Sequence, residues 1–537
     1  MKNYRIFNSR GAEIFVFIDA PNDGREGPIV EIRDLDGTEI RQSGFAYQVG
    51  DLISEGELMI FSRRNNYSMI SFNQAMLVQE VLDIDPAFQI TIRVTDGQSF
   101  VIPAAGTNNF VVNWGDGSTE TVTTASPSHT YTTGDDYQIS ITGTMSSFSF
   151  NNGGSAAMVI SLDQMGDVGL QNMEGFMFGC SNLTSANLNN FAGVNSANQA
   201  FRNCTSLATL NTTTFDTTNI TNMRAFVSGC SSLTSFDSRF WNTSKVRNFA
   251  IFAFGCTGLT EIYTRDWDVS NVTDFSFFVR GCTSLTRLDV SIWDTSSVTT
   301  FSQFALGCTV LSELPVGEWD TSNVTNFGYF IQNCRALVTL DVGRWNTSKV
   351  TNLTNFLGIT GSDDTVFKRI DVTNWDVSNV TDISVFAQNR SGLEGLNVSR
   401  WNTSNVTDAS QFAHDCRAIT ILDVSNWDVS NVTDFNSFAN ATAITELNVS
   451  NWNVSAVTNF TDFVNGCTSL ITLDTSGWVT TANPNCTRFA NQCTSLTSTI
   501  NANAFWLNTG ITTFTNAFAG ATNIANFASI PNNWKGL

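Results

Sequence analysis

The segment Trp267-Asp-Val-Ser-Asn-Val-Thr-Asp-Phe-Ser-Phe-Phe-Val-Arg-Gly-Cys-Thr-Ser-Leu-Thr-Arg-Leu-Asp-Val-Ser-Ile292 is one unit of a repeat, because nearly the same sequence begins again at the next residue. Its tryptophan recurs mostly at steps of 26 residues, with single steps of 30, 25 and 28. Such a fixed period is typical of a solenoid, in which each unit buries its apolar side only against its neighbours. The recurring position holds Trp241, Trp267, Trp293, Trp319, Trp345, Trp375, Trp401, Trp427, Trp452, Trp478 and Trp506, preceded by Phe215, Phe191 and Met165, which gives about fourteen units.

Within one unit, two spacings predict two kinds of local structure. Phe275, Phe278 and Cys282 lie at i, i+3 and i+7, which favours a short helix with one apolar face. Leu288 and Val290 alternate with polar residues, which favours a short strand. The sequence therefore predicts an α/β solenoid of leucine-rich-repeat type, with one short strand and one short helix in each of about fourteen coils.

The apolar frame Val272, Phe275, Phe278, Cys282, Leu285, Leu288, Val290 resembles the leucine-rich repeats of the BspA type, also labelled DUF285. The resemblance runs from about residue 155 to the end of the sequence and repeats more than ten times. It implies a bacterial surface protein with a role in adhesion, and the family also has relatives in viral genomes. Those surface proteins carry export signals, and no such signal is visible here.

The sequence before the repeats predicts two further domains, so we expect boundaries at 1–85, 86–146 and 147–537. In the first domain, alternating apolar residues at Glu13–Ile18, Ile29–Arg33 and Leu58–Phe61 predict a β-rich module. In the second, Trp114-Gly-Asp-Gly-Ser118 and His129-Thr-Tyr131 resemble the PKD domain, an immunoglobulin-like β-sandwich. That resemblance implies a spacer or adhesion-associated unit in which His129 is structural. The third domain is the solenoid, which we expect to end in a C-terminal cap.

Charge excludes several classes of partner. The chain has 27 Lys and Arg against 48 Asp and Glu, a formal charge of −21. Such an acidic surface repels phosphate backbones and anionic lipids, so we expect neither nucleic-acid binding nor binding to a membrane surface. No apolar run has the length of a transmembrane helix, so we also expect no membrane insertion.

Ten of the eleven cysteines occupy one position of the repeat. One small apolar residue per coil on one line predicts a ladder of buried free thiols. Disulfides and a metal site are the alternatives, although clustered Cys or Cys/His spacing is absent. Cys486 lies outside the register, and we expect it to be a surface thiol. The cysteines in the repeat position are Cys180, Cys204, Cys230, Cys256, Cys282, Cys308, Cys334, Cys416, Cys467 and Cys493.

We expect no enzymatic activity and assign no catalytic residue. The chain has two histidines, and His414 stands alone in an ordinary repeat, so no Ser/His/Asp or Cys/His set can be assembled. Acidic residues such as Asp268 and Asp294 recur after many of the tryptophans and would stack between adjacent coils, although asparagines such as Asn346 and Asn402 interrupt the row. Either they bond to turn backbone, or they bind calcium between coils. Calcium is the one cofactor that the sequence leaves open, and no metal ligands are assigned.

Two sets of residues are candidate partner-binding positions because they vary where the repeat is otherwise constant. The exposed positions of the strand are represented by Thr286, Arg287 and Asp289. The longest unit contains Ile359-Thr-Gly-Ser-Asp-Asp-Thr365, and in this insertion Ser362, Asp363 and Asp364 are candidates, although a neutral surface loop is the alternative. The structural ladders comprise Cys230, Cys256, Cys282, Cys308 and Cys334, and Trp241, Trp267, Trp293, Trp319 and Trp345.

The leading functional hypothesis is a non-catalytic structural and recognition protein of a phage virion: a fibre, a tail-associated adhesin or a capsid decoration. Residues 1–85 would dock to other virion proteins, and the repeats would bind a host surface protein or glycan. The alternatives are a bacterial cell-surface adhesin with an unrecognised export route and, third, a cytosolic scaffold. A homo-oligomer is left open.

Overall fold

The computed structural model describes eight strands within residues 2–81, and then residues 87–188, 191, 193–361, 364–501, 504–507, 511 and 513–537. The chain divides into two compact units. Unit 1 comprises residues 1–197, 207–220 and 236–245. Unit 2 comprises residues 198–206, 221–235 and 246–537, so it contains most of the repeats.

Unit 1 begins with an eight-stranded antiparallel sheet in the order β5-β8-β1-β2-β3-β4-β6-β7. The strands predicted at Glu13–Ile18, Ile29–Arg33 and Leu58–Phe61 are confirmed as β2, β3 and β6. Their neighbours follow by antiparallel pairing, for example Ile32 opposite Ile40 between β3 and β4. The strands are β1 Lys2–Phe7, β2 Glu13–Asp19, β3 Ile29–Arg33, β4 Glu39–Gln42, β5 Leu52–Ile53, β6 Leu58–Phe61, β7 Tyr67–Ile70 and β8 Met76–Val81.

A second β module follows, in which β12-β11-β14-β9 form antiparallel neighbours and β10 pairs with β13. Its core contains Trp114, whose ring stacks on His129 at 5.1 Å. The hydroxyl of Tyr131 donates to the carbonyl of Trp114 at 2.8 Å. The likeness to the PKD domain stays a prediction. The strands are β9 Phe88–Arg93, β10 Ser99–Val101, β11 Ala104–Asn113, β12 Thr119–Val122, β13 Ser128–Thr130 and β14 Asp136–Phe148.

The module and the first coils share one sheet. After a short 3₁₀ turn at Ala156–Met158, β15 (Val159–Gln164) pairs antiparallel with β9 on one side. On its other side β15 pairs parallel with β16 (Ser185–Asn187), which pairs parallel with β17 (Thr209–Asn211). Strand β9 therefore covers the edge that the first coil would otherwise expose to pairing with other chains.

Unit 2 is a β-solenoid in which each coil bonds to the next through parallel backbone ladders. One ladder joins the strands β18 with β19, β20 with β21, and β22 with β23. A second runs through single parallel bridges such as Asp274 to Thr300. The strands are β18 Glu261–Ile262, β19 Arg287–Leu288, β20 Thr339–Leu340, β21 Arg369–Ile370, β22 Glu446–Asn448 and β23 Thr472–Asp474.

The prediction of a helix in each coil, and with it the α/β class, is wrong. Across the predicted helix the amide N–H groups alternate between two kinds of acceptor. The N–H of Phe275 and of Val279 bond to Thr300 and Phe304 of the next coil at 3.2 and 3.0 Å. The N–H of Phe278 bonds back only three residues, to Phe275 at 3.3 Å. The segment is therefore a series of tandem turns, which also place residues i and i+3 on one side.

A left-handed residue at a fixed position explains why the helix cannot form. Phe277 has φ of 59° and Gly281 has φ of 76°, a conformation that interrupts any right-handed helix. The first of these positions recurs in every coil with φ between 51° and 62°, largely without glycine; only Gly175, at 61°, lacks a side chain there. Its occupants are Gly175, Gln199, Ala225, Ile251, Phe277, Gln303, Tyr329, Asn355, Val385, Gln411, Ser437, Asp462, Arg488 and Asn516.

Aromatic stacks fill the interior of unit 2. From Trp267 to Trp478, successive tryptophan rings lie parallel, for example Trp319 and Trp345 at 6.2 Å and 3°. The indole N–H of Trp319 donates to the carbonyl of Val290 in the preceding coil at 3.0 Å. Trp506 does not continue this column: Phe505 is buried and lies 5.8 Å from Trp478 instead, while Trp506 is half-buried.

The end of the described repeats carries the single α-helix of the described residues, α1 (Asn532–Lys535), after a 3₁₀ turn at Phe527–Ser529. Trp534 of α1 is buried and stacks on Phe514 at 4.6 Å. Its carbonyl accepts the N–H of Phe518 at 2.9 Å. No helix among the described residues is long and apolar enough to cross a bilayer.

Candidate recognition groove

A groove crosses the outer strand face of three successive coils in unit 2. Its volume is about 550 Å³, and it opens to solvent along its length. The side chains come from equivalent strand positions, so parallel pairing of the coils brings them side by side. The lining residues are Thr339, Leu340, Asp341, Arg369, Ile370, Asp371, Glu394, Gly395, Leu396 and Asn397.

Gly395 makes the groove, because it leaves a gap in a row of outward-facing side chains. Thr339 and Arg369 occupy the same position in the two preceding coils, and Arg369 pairs directly with Gly395 across the ladder. A Cβ atom built on Gly395 meets no heavy atom within 4 Å. The floor is apolar, since Ile370 and Leu396 are 8% and 3% exposed.

The charges in the groove are predominantly negative. Arg369 pairs with Glu394 at 3.6 Å between Nη2 and Oε2, with both side chains largely exposed. The exposed carboxylates of Asp341 and Asp371 stand in neighbouring coils on the other side of the apolar floor. Asp371 also accepts the N–H of Thr373 at 3.0 Å, which fixes its orientation. The arrangement offers donors and acceptors to a polar ligand on both sides of an apolar strip.

The predicted strand-face residues lie on this same face but three coils earlier. Thr286 donates through its hydroxyl to the carbonyl of Thr260 at 3.1 Å. Arg287 is exposed and lies 3.4 Å from Asp289. Burial acts to raise the pKa of Asp289, but hydrogen bonds from Ser291 and the nearby Arg265 and Arg287 outweigh it and lower the pKa. The equivalent positions in the middle coil of the groove hold Lys368, Arg369 and Asp371, of which Arg369 and Asp371 line the groove.

Of the three candidate residues in the insertion, the structure describes Asp364 alone. Ser362 and Asp363 lie outside the described residues. Asp364 is 4% exposed and forms an ion pair with Arg390, whose side chain is 0% exposed. The carboxylate of Asp364 therefore faces the interior and is not available to a partner, contrary to our prediction that Asp364 is a partner-binding residue.

The Asp364–Arg390 pair is the feature that sequence reasoning missed. Both residues stand in the position that cysteine fills elsewhere, because Asp364 follows Cys334 by one 30-residue unit and Arg390 precedes Cys416 by 26 residues. Counting along the cysteine register would have found them, since two charged residues in a buried position must be paired.

All described cysteines are free and buried. In most coils the thiol lies close to a carbonyl oxygen of the preceding coil, for example Cys282 and Ala253 at 3.1 Å between Sγ and O. The thiol of Cys180 instead lies 3.8 Å from the sulfur of Met177. Burial raises the pKa of these thiols well above the ordinary value. The expectation of a surface thiol at Cys486 is wrong: the residue is 0% exposed, and burial raises its pKa to about 12.

The recurring aspartates are held in the turns. The carboxylate of Asp268 accepts the N–H of Ser270 at 3.1 Å, and that of Asp294 accepts the N–H of Ser296 at the same distance. This is the local bonding typical of Asp at turns. Among the described residues, no three His, Cys, Asp or Glu side chains converge as metal ligands would.

The two histidines each lie beside a carboxylate. In unit 1, Nε2 of His129 lies 2.7 Å from Asp116. Hydrogen bonds from Ser118, with a smaller contribution from His129, lower the pKa of Asp116 to about 2. In unit 2, Nε2 of His414 lies 3.1 Å from Asp415.

Comparison with known families identifies the repeats. Residues 171–257, 250–362, 360–446 and 412–534 each match the family described as "Mycoplasma protein of unknown function, DUF285". These segments cover more than half of the chain, which belongs to this family. No curated protein matches the chain. A repeat-rich solenoid of this kind suggests a surface or recognition protein.

Proposed function

We propose that the chain is a non-catalytic recognition protein that binds its partner in the groove around Gly395. The observation that carries this proposal is the gap that Gly395 leaves in the strand face, which combines an apolar floor with charged groups on both sides. Repeat proteins bind partners along such ridged faces, where side chains vary while the coil stays constant.

The absence of a catalytic role is part of the proposal. Its support is that each histidine lies beside a carboxylate of its own unit, and that burial raises the pKa of the thiols. A thiol with a raised pKa is a poor nucleophile at neutral pH, because the thiolate is the reactive form.

Replacing Gly395 by Trp tests the groove. The position has room for a side chain, so the variant should fold with an unchanged melting temperature while its groove is filled. The protein and the variant are applied to a glycan array and to a peptide library, and the proposal expects a ligand that the protein retains and G395W loses.

The matched control is Thr472→Trp, which places the same side chain at the exposed position of another strand, outside the groove. T472W should bind as the unaltered protein does. Equal binding by G395W, or equal loss by both variants, would contradict the proposed site.

The location of the protein is a separate proposal: a virion first, a bacterial cell surface second and a cytosolic scaffold third. The support is the combination of an acidic repeat array with a separate N-terminal β-sheet in residues 2–81, suited to display and to docking respectively. Immunogold labelling of purified particles tests the first location. Deleting residues 1–85 should abolish incorporation into particles, and undiminished incorporation would refute docking through this segment.

A further inference from the structure

The cysteine ladder of unit 2 is interrupted once by charge. From Cys230 to Cys334 the buried position holds a thiol in every coil, and it does so again at Cys416. Between them, two consecutive coils place Asp364 and Arg390 there instead. Thr442 is a further, neutral replacement at the same position, with its hydroxyl 3.3 Å from the sulfur of Cys467.

The bonding of the Asp364–Arg390 pair extends over three coils. Nη1 of Arg390 bonds to the carboxylate of Asp364 and, at 3.1 Å, to the carbonyl of Cys334. Its Nε donates to the carbonyl of Leu357 at 2.7 Å, and the guanidinium lies 4.7 Å from the ring centre of Phe367. The second oxygen of Asp364 accepts the N–H of Val366 at 2.9 Å. These bonds form only when the three coils are stacked in this order.

Most other contacts between coils do not distinguish the correct neighbouring coil from another coil of the array. The segments Trp319-Asp-Thr-Ser-Asn-Val-Thr325, Trp375-Asp-Val-Ser-Asn-Val-Thr381 and Trp401-Asn-Thr-Ser-Asn-Val-Thr407 are nearly the same. A coil that stacked on the next but one, with a unit looped out, would regain a parallel tryptophan stack and the same apolar core. Sequences with repeated pairing partners specify their register weakly unless a particular contact favours one arrangement.

We propose that the Asp364–Arg390 pair is a register key, which prevents the coils on either side of the 30-residue unit from stacking out of order. If the coil of Arg390 is looped out, Asp364 is buried against a thiol. If the coil of Asp364 is looped out, Arg390 is buried with no carboxylate. Leaving one member of a buried ion pair without its partner strongly destabilises that arrangement. A single polar contact that fixes register in an otherwise uniform core is an attested use of buried polar groups.

Restoring the ladder tests the key. In the double variant Asp364→Cys with Arg390→Cys, both coils have cysteine at the buried position, as most other coils do. A second neutral pair, Asp364→Leu with Arg390→Met, keeps more of the side-chain volume. The full-length proteins are compared as purified and after refolding from urea, using hydrogen exchange with mass spectrometry on peptides from residues 340–420.

The unaltered protein should give one isotope envelope per peptide. At least one neutral pair should give a second, fast-exchanging envelope while its urea midpoint is equal to or above that of the unaltered protein, because loss of register without loss of stability defines a key. The matched control is Thr442→Cys, which also restores a rung but leaves the key intact, and it should give one envelope.

Three results would overturn the proposal. A single envelope in both neutral pairs shows that register is fixed elsewhere. Failure of both neutral pairs to fold shows that the charges are required for the fold itself. A second envelope in T442C shows that slippage does not depend on the Asp364–Arg390 pair.

Discussion

The regular coils place a cysteine at one buried position, whereas the two interrupted coils place Asp364 and Arg390 there. At Cys308 the buried position holds a thiol that lies 3.2 Å from one carbonyl of the preceding coil. Two coils on, the position holds Asp364, which pairs with Arg390 of the next coil, and Arg390 also bonds to carbonyl oxygens in the two coils before its own. The thiol needs one local partner and suits any coil, whereas the ion pair suits one place only. The repeated thiols therefore stabilise every coil alike, whereas the ion pair favours one order of coils over the others.

The largest expected effect acts on the regular coils through alkaline pH. Burial is the main cause that raises the pKa of ten thiols above the ordinary value of 9.0. A thiol that is neutral in the folded protein and ionises in the unfolded chain binds more protons in the folded state. Its contribution to the free energy of unfolding is therefore fully present below about pH 9 and decreases as the pH rises towards the folded pKa. Above the unfolded pKa, each such thiol lowers the free energy of unfolding by about 1.4 kcal/mol per pH unit. Ten thiols together lower it by on the order of 10 kcal/mol per unit.

Urea midpoints between pH 8 and 11 measure this loss. The triple variant Cys256→Ala, Cys282→Ala and Cys308→Ala should flatten the slope by roughly a third, because it removes three of the ten thiols. A midpoint that stays constant through this range would show that the thiols ionise freely in the folded protein.

The next effect acts on the interrupted coils alone. Arg390→Ala leaves the buried carboxylate of Asp364 without its partner, which should lower the free energy of unfolding by about 3–5 kcal/mol. Burial lowers the pKa of Arg390, while Asp364 acts to raise it. Urea unfolding at pH 7 is the measurement.

The control for this prediction is Arg287→Ala, which removes an exposed guanidinium paired with Asp289. It should change the free energy by less than about 0.5 kcal/mol. Comparable losses in the two variants would remove the distinction between interior and surface pairs.

The smallest effect compares a tryptophan inside the column with one outside it. Trp319→Phe removes the indole N–H bonded to Val290 and some buried volume, which should cost about 1–2 kcal/mol. Trp506→Phe should change stability by less than about 0.5 kcal/mol, because Phe505 fills the column in that coil. Thermal unfolding of both variants tests this, and equal shifts would place Trp506 in the column.

The period of the repeat could be predicted from sequence, but the conformation of its apolar half could not. Phe275, Phe278 and Cys282 sit on one side in a helix and equally in tandem turns, so their spacing does not distinguish the two. The distinguishing signal was Gly281, whose position holds Gly or Asn in most coils, a composition that favours left-handed backbone and opposes a helix. The second left-handed position, at Phe277, could not be recognised from sequence, because an aromatic residue seldom adopts a positive φ.

The groove was only half predictable. Alternation in the strand places Arg287 and Asp289 outward, so the face could be found from sequence. The deepest point of the groove could not be found from sequence. It depends on which of the neighbouring coils lacks an outward-facing side chain. Gly395 is that gap, and its meaning follows only from Arg369 and Glu394 beside it.

Ligand binding in the groove around Gly395 is tested most directly by hydroxyl-radical footprinting of the full-length protein, with and without a ligand captured from the glycan array or the peptide library. We expect protection of Arg369 and Glu394, whose side chains are largely exposed, with unchanged oxidation of the half-buried Phe277 and Tyr329 on the tandem turns. Protection of Phe277 and Tyr329, with Arg369 and Glu394 unchanged, would contradict it and move the recognition face to the turns.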